Sequence, residues 1–343
     1  MSCHIQPISI VENQRGFTLI ELMVALILGL LISAAALQVF YTSTVNNNRQ
    51  TAGSQIQNNA VFGVESLSKS LRRANYGANA NNTSSFYLNH LTPQGGVVLT
   101  TATSKTTGTP PSTTTTWAGS NLNGLKNVPA SVLSANGSTA SASNIKGITN
   151  SDQLTIQYQA YQNDMFSCDG QRINKNDYVL ERYFVRTDTT VEPNQNGLAC
   201  ASMIYTYNAS LAIGAGIDVS AKLPKLTGNG IIVIPNVDYF RVLLGTTAQN
   251  NFATDPASLS IAYRPIPTDP ATTLAGQRIV SLQVGLLTHS DTVTASKQAN
   301  TSLRFDILDK RDQELKDTVA AGGKYLRDVY ETTILIRNAR GKP

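Results

Sequence analysis

Histidine and tryptophan are nearly missing from these 343 residues, with three and one respectively, and cysteine is no commoner than histidine at three. The shortage of histidine narrows the catalytic readings. His4 stands before a long apolar run, and His90 and His289 are isolated among polar neighbours. Neither HExxH nor GxSxG occurs. Ser66-Leu67-Ser68-Lys69 has the SxxK spacing, but the companion motifs fail at Ser151-Asp152-Gln153 and at Lys105-Thr106-Thr107-Gly108. Asp164, Asp169, Asn174, Asn176 and Asp177 offer oxygen ligands that calcium would accept, yet without the order of an EF-hand. They read as a polar turn, and neither metal nor cofactor is implied.

Charge is scarce as well, at 14% of residues, and it is unevenly placed. Residues 42–150 hold seven Lys or Arg against the single acid Glu65, whereas residues 151–343 balance at nineteen of each sign. The basic side chains are spread along the chain without a run or interleaved aromatics, which argues for a solvated surface and against nucleic acid as a partner. With 41% apolar residues the chain suits a globular body with a sizeable core.

Proline is absent between Phe17 and Arg73, and residues 17–41 read FTLIELMVALILGLLISAAALQVFY, twenty-five positions with one charge. That is long enough to cross a bilayer as a helix. A carboxylate at that depth costs about 2.5–3.5 kcal/mol, so Glu21 needs a partner. An ordinary signal peptide would have a basic start and an uninterrupted apolar middle. Here Arg15 is offset by Glu12, and the run continues past Ala34, Ala35 and Ala36. Beyond it Val45, Arg49, Ala52, Ile56, Ala60, Val64, Leu67 and Leu71 recur every three or four residues, the stripe of an amphipathic helix. One helix of about 57 residues is therefore expected, roughly 85 Å at 1.5 Å per residue, with Gly53 and Gly63 as points where it can bend.

The residues Arg15-Gly16-Phe17-Thr18-Leu19-Ile20-Glu21-Leu22 closely resemble the class III signal of type IV prepilins. The resemblance implies that prepilin peptidase removes residues 1–16, cutting between Gly16 and Phe17 and leaving Phe17 as the new, N-methylated terminus. Glu21 then lies one helical turn from a buried ammonium, and opposite charges buried together cost far less than either alone. In the family this glutamate meets the terminus of a neighbouring subunit, which makes Glu21 an assembly residue.

After Arg73 the composition turns to Asn, Thr and Ser, and residues 100–151, with Trp117 among them, suggest an extended, loosely packed excursion. Short apolar or alternating runs then predict strands at 153–161, 178–187, 202–207, 230–245, 259–264, 278–288, 302–308 and 325–337. The fold class expected is α+β and pilin-like, a long N-terminal helix packed on an antiparallel sheet. Its parts would be a leader (1–16), a membrane or filament-core helix (17–41), its amphipathic continuation (42–73), a loop region (74–151) and a β-rich head (152–343).

Asn236-Val237-Asp238-Tyr239-Phe240-Arg241-Val242-Leu243-Leu244-Gly245, Arg278-Ile279-Val280-Ser281-Leu282-Gln283-Val284-Gly285-Leu286-Leu287 and the ending at Tyr330-Glu331-Thr332-Thr333-Ile334-Leu335-Ile336-Arg337-Asn338 resemble PilW-like minor pilins and the related larger pseudopilin of type II secretion. That likeness implies a minor subunit, not an enzyme, at or near a pilus tip. The implied partners are other minor pilins, the major pilin, prepilin peptidase, the pilus assembly machinery and a large tip adhesin. The implied location is the inner membrane, single-pass with the head periplasmic, and then the surface pilus. The alternatives are a type II secretion pseudopilin and, from another class, a membrane-tethered periplasmic enzyme. Cys168 and Cys200, far beyond the apolar run, would then lie in an oxidising compartment and are expected to form one disulfide, with two unlinked thiols as the alternative.

Overall fold

The computed structural model describes residues 16–78, 88–101, 105–107, 115–117, 120–191, 195–208, 210–211, 216–248, 260–294, 304–321 and 325–339. Residues 1–15, with Cys3 and His4, and residues 102–104, 108–114 and 118–119 of the Thr-rich stretch lie outside it. The chain divides into two units, Met1–Asn48 and Arg49–Pro343.

One helix, α1, runs over Leu19–Leu71, two residues inside the predicted limits at each end. In the first unit its side chains are almost all exposed. In the second unit the predicted stripe is real: Ala52, Ile56, Leu67 and Leu71 are buried and Val64 partly so, whereas Arg49 is exposed. The stripe packs against strands, while Glu65 and Lys69 pair at 2.8 Å on the outer side, where Val61 and Phe62 are exposed as well.

The main strands form two four-stranded antiparallel sheets where one sheet was expected, and the remaining short strands pair off in twos. The first is a meander of β1 (Leu154–Gln159), β2 (Tyr178–Asp188), β3 (Gln195–Tyr205) and β4 (Ile231–Ile234), hydrogen-bonded in that order. The second contains β5 (Val237–Ala248), β6 (Ala262–Pro265), β7 (Gln277–Val293) and β8 (Tyr325–Leu335), in the order β6-β5-β7-β8. The single run predicted over 230–245 is divided between the two sheets. Pro235 has no N–H to give a ladder, and Asn236 takes the left-handed conformation at φ 57°, so the chain turns out of one sheet and into the other.

A shared core joins both sheets to the end of α1: Leu67 and Leu71 meet Ile156, Tyr158, Tyr183, Cys200, Phe240, Val242, Leu282, Val284 and Ile334 in one cluster. At the closest approach a Cβ on Gly63 would lie 2.7 Å from Ile234 Cγ1, so the helix can sit here only without a side chain. Gly63→Val is expected to destabilise the head by about 2 kcal/mol, because Ile234 is buried and has no room to move. Denaturant unfolding followed by circular dichroism would measure it.

Residues 120–151 are not a loose excursion. Leu122, Leu125 and Val132 pack with Leu180, Met203 and Leu226 on the other face of the first sheet, and Ile145 packs with Tyr239, Leu287 and Leu315 against the second. Their polar composition is compatible with burial because the polar atoms pair with each other. Asn121 donates to the carbonyls of Asn89 and Thr92, and Ser141 donates to the carbonyl of Asp152 at 2.9 Å.

Candidate functional site

The helix start is built by its own first residues. Thr18 precedes α1 as its cap, Glu21 N–H donates to Thr18 Oγ1 at 3.3 Å, and Thr18 N–H donates to Glu21 Oε2 at 3.4 Å. This is a capping box, two otherwise orphaned N–H groups satisfied reciprocally. The Thr-x-x-Glu spacing of Thr18-Leu19-Ile20-Glu21 is the sequence signal for this cap. Capping and the assembly role expected of Glu21 are compatible, since the cap holds the carboxylate at the helix N-terminus, beside Phe17 and in the favourable end of the helix dipole.

From this start the helix presents apolar surface on every side: Phe17 is 86% exposed, and Leu22, Leu26, Leu30 and Leu37 all lie above half. It is the one helix among the described residues long and apolar enough to cross a membrane. Burying one such side chain is worth about 1.5–3 kcal/mol, so a twenty-five-residue run open to water on all faces demands lipid or other helices around it.

In the head, Cys168 and Cys200 form a disulfide, with their Cα atoms 6.0 Å apart. It fastens a polar turn to β3, and Asp169 reinforces it by accepting hydrogen bonds from the Gln171 side chain at 2.8 Å and the Ser202 N–H at 3.1 Å. Burial pushes the Asp169 carboxyl up, but the bonds from Ser167, Ser202 and Gln171 outweigh it and hold the group below its ordinary range. Of the other oxygen-rich residues of this turn, Asp164 is paired with Arg172, and Asp177 accepts from the Asn174 N–H. Their oxygens are thus directed to separate protein donors. Reducing the disulfide, or Cys168→Ser with Cys200→Ser, is expected to cost roughly 3–4 kcal/mol for a loop of this size, measured by unfolding with and without reductant.

His289 is not isolated, contrary to the sequence reading. It is buried, with Nδ1 2.9 Å from the Ser290 carbonyl and Nε2 3.9 Å from Asp238 Oδ1. Arg327 Nε donates to the same carboxylate at 2.9 Å, so the cluster ties β5, β7 and β8 together. His90 is buried too, and burial pushes its ring pKa down. Ser66 is exposed, and Lys69 beside it is held by Glu65, so the SxxK spacing lies on the outer surface of α1.

Comparison with known proteins agrees with both ends of this description. Residues 12–37, which include the capping box and most of the apolar run, match the family described as the prokaryotic N-terminal methylation motif. Residues 182–338, from β2 to the turn after β8, match the Type IV Pilus-assembly protein W family. Over that stretch the head is PilW-like. All three stretches that suggested PilW in the sequence fall inside that match. A type IV-like pilin from Thermus thermophilus is among the similar solved structures, at 13% identity and a TM-score of 0.28, covering 57% of this chain and 83% of that one. No curated protein matches. The match over 182–338 points to a role in pilus assembly, and the methylation motif on an apolar helix points to an inner-membrane anchor before assembly.

Proposed function

We propose that this PilW-like protein is a minor type IV pilin, cut between Gly16 and Phe17, methylated at Phe17, and acting with other minor pilins to initiate pilus assembly at or near the tip. The observation that supports it most is the exposed apolar stretch of α1 inside a methylation motif, joined to a PilW-like head. A membrane can cover that stretch before assembly and neighbouring α1 helices can cover it afterwards, so one surface serves both states. The head is large for a subunit repeated along a shaft, which favours a low-copy position. Glu21 would be the assembly residue, its carboxylate meeting the terminal ammonium of a neighbouring subunit.

A deletion strain with immunogold labelling of the complemented strain tests the proposal. Fewer pili, with label at filament ends, is the expected result. Unchanged pilus number would rule out initiation, and label along the shaft would rule out the tip. A processed chain that never enters pili would make the type II secretion pseudopilin the better reading.

A further inference from the structure

Where α1 ends, the head opens into a cleft of about 390 Å3. Arg72, Arg73 and Tyr76 reach it from the end of the helix and the turn beyond, Tyr158 and Tyr161 from the end of β1, and Arg337 from the turn after β8. No carboxylate lines it. The side chains of Arg72 and Arg337 are exposed, and neither makes an ion pair or hydrogen bond among the described residues. Tyr76 and Tyr161 form an edge-to-face pair at 5.6 Å, and each ring is more than two-fifths exposed.

The floor is fixed. Arg73 donates to the Phe166 carbonyl at 3.1 Å and lies over the Tyr158 ring at 5.9 Å. Tyr158 donates its hydroxyl at 2.8 Å to Glu181, which also accepts from the Tyr183 hydroxyl and the Cys168 N–H. Glu181 is therefore buried beneath the cleft and turned to other donors, and Glu65, whose charge reaches Arg72 from the outer face of α1, is paired with Lys69. Burial pushes the Glu181 carboxyl above the ordinary range, which further reduces its competition for the arginines.

We propose that this cleft binds single-stranded nucleic acid, its exposed tyrosines stacking against unpaired bases and Arg72 and Arg337 engaging the neighbouring phosphates. Exposed guanidinium groups that make no ion pair select an anion and match the oxygens of phosphate in a fork. Exposed aromatic rings beside them select an anion that also carries planar faces, the pairing used by single-strand binders. An acidic peptide would satisfy the arginines but leave the rings without a matching surface, and the stacked bases of a duplex cannot enter a concave site. Nucleic acid was set aside in the sequence because its basic residues lacked interleaved aromatics. The fold supplies that interleaving by joining positions 72–76, 158–161 and 337.

The test is fluorescence anisotropy of a labelled twelve-residue oligothymidylate with the full-length chain in a non-ionic detergent. Saturable binding is expected, weakening with salt at a log–log slope of about −1.4 to −2.1 for two to three phosphates. Arg72→Glu with Arg337→Glu should weaken binding at least tenfold. Tyr76→Ala with Tyr161→Ala should do the same while leaving the salt slope unchanged. All four positions are exposed, so the variants keep the fold, which circular dichroism verifies. No binding at low salt would overturn the proposal. Equal binding of a duplex, or equal competition by a polyglutamate peptide, would overturn it as well. So would an equal loss from Lys126→Glu with Lys222→Glu, which makes the same charge change outside the cleft.

Discussion

Glu21→Ala is expected to reduce incorporation of the chain into filaments at least tenfold while leaving membrane insertion and cleavage intact. Removing the carboxylate relieves the membrane segment of a group that costs about 2.5–3.5 kcal/mol there, so insertion should not suffer. On the proposed role, what is lost is the partner of a terminal ammonium in an apolar filament core, where leaving one charge uncompensated costs roughly 3–5 kcal/mol. The capping box supplies a competing explanation, because Glu21 also completes the helix start with Thr18. Glu21→Gln separates the two. Glutamine serves at the same capping position but carries no charge. If the charge is the point, both variants fail to enter filaments. If Glu21→Gln assembles normally and Glu21→Ala does not, the cap is what matters and the ion pair is not. Quantitative immunoblots of sheared filaments and membrane fractions measure both.

The second large effect lies in the head. Arg241 on β5 is 1% exposed, and its guanidinium bridges two acids, donating to Asp309 Oδ1 at 2.7 Å and to both oxygens of Asp152 at 3.2 Å. Asp152 is buried as well and also accepts from the Gly137 N–H at 3.0 Å and the Val242 N–H at 2.8 Å. Arg241→Met leaves that carboxylate without its cation and should cost about 3–5 kcal/mol. For a head of this size the thermal midpoint would fall by roughly 10 °C. Asp152→Asn added to Arg241→Met should recover part of the loss, because the orphaned charge is then gone. A double variant no better than Arg241→Met alone would show that the cluster acts through packing instead of charge.

How much of this was legible depended on whether the physics was local. The membrane-length run and its single acid stand in consecutive residues, as do the alternations that predict β2, β7 and β8. The break between β4 and β5 was missed because apolar residues continue on both sides of Pro235 and Asn236, which marked the turn unheeded. The packing of residues 120–151 was illegible for another reason. Their Ser and Asn side chains look solvent-facing until Asn89, Thr92 and Asp152 are brought beside them from elsewhere in the chain. The same holds for Arg241 with Asp309 and for His289 with Asp238 and Arg327, pairings made only by the fold. At the N-terminus the structure adds to the expectation for Glu21 the part played by Thr18.

The central claim is that this chain enters a pilus as a processed subunit, and mass spectrometry of filaments sheared from cells tests it most directly. The account predicts an N-terminal peptide beginning at methylated Phe17, with residues 1–16 removed. A chain that retains an intact Met1 terminus would contradict it.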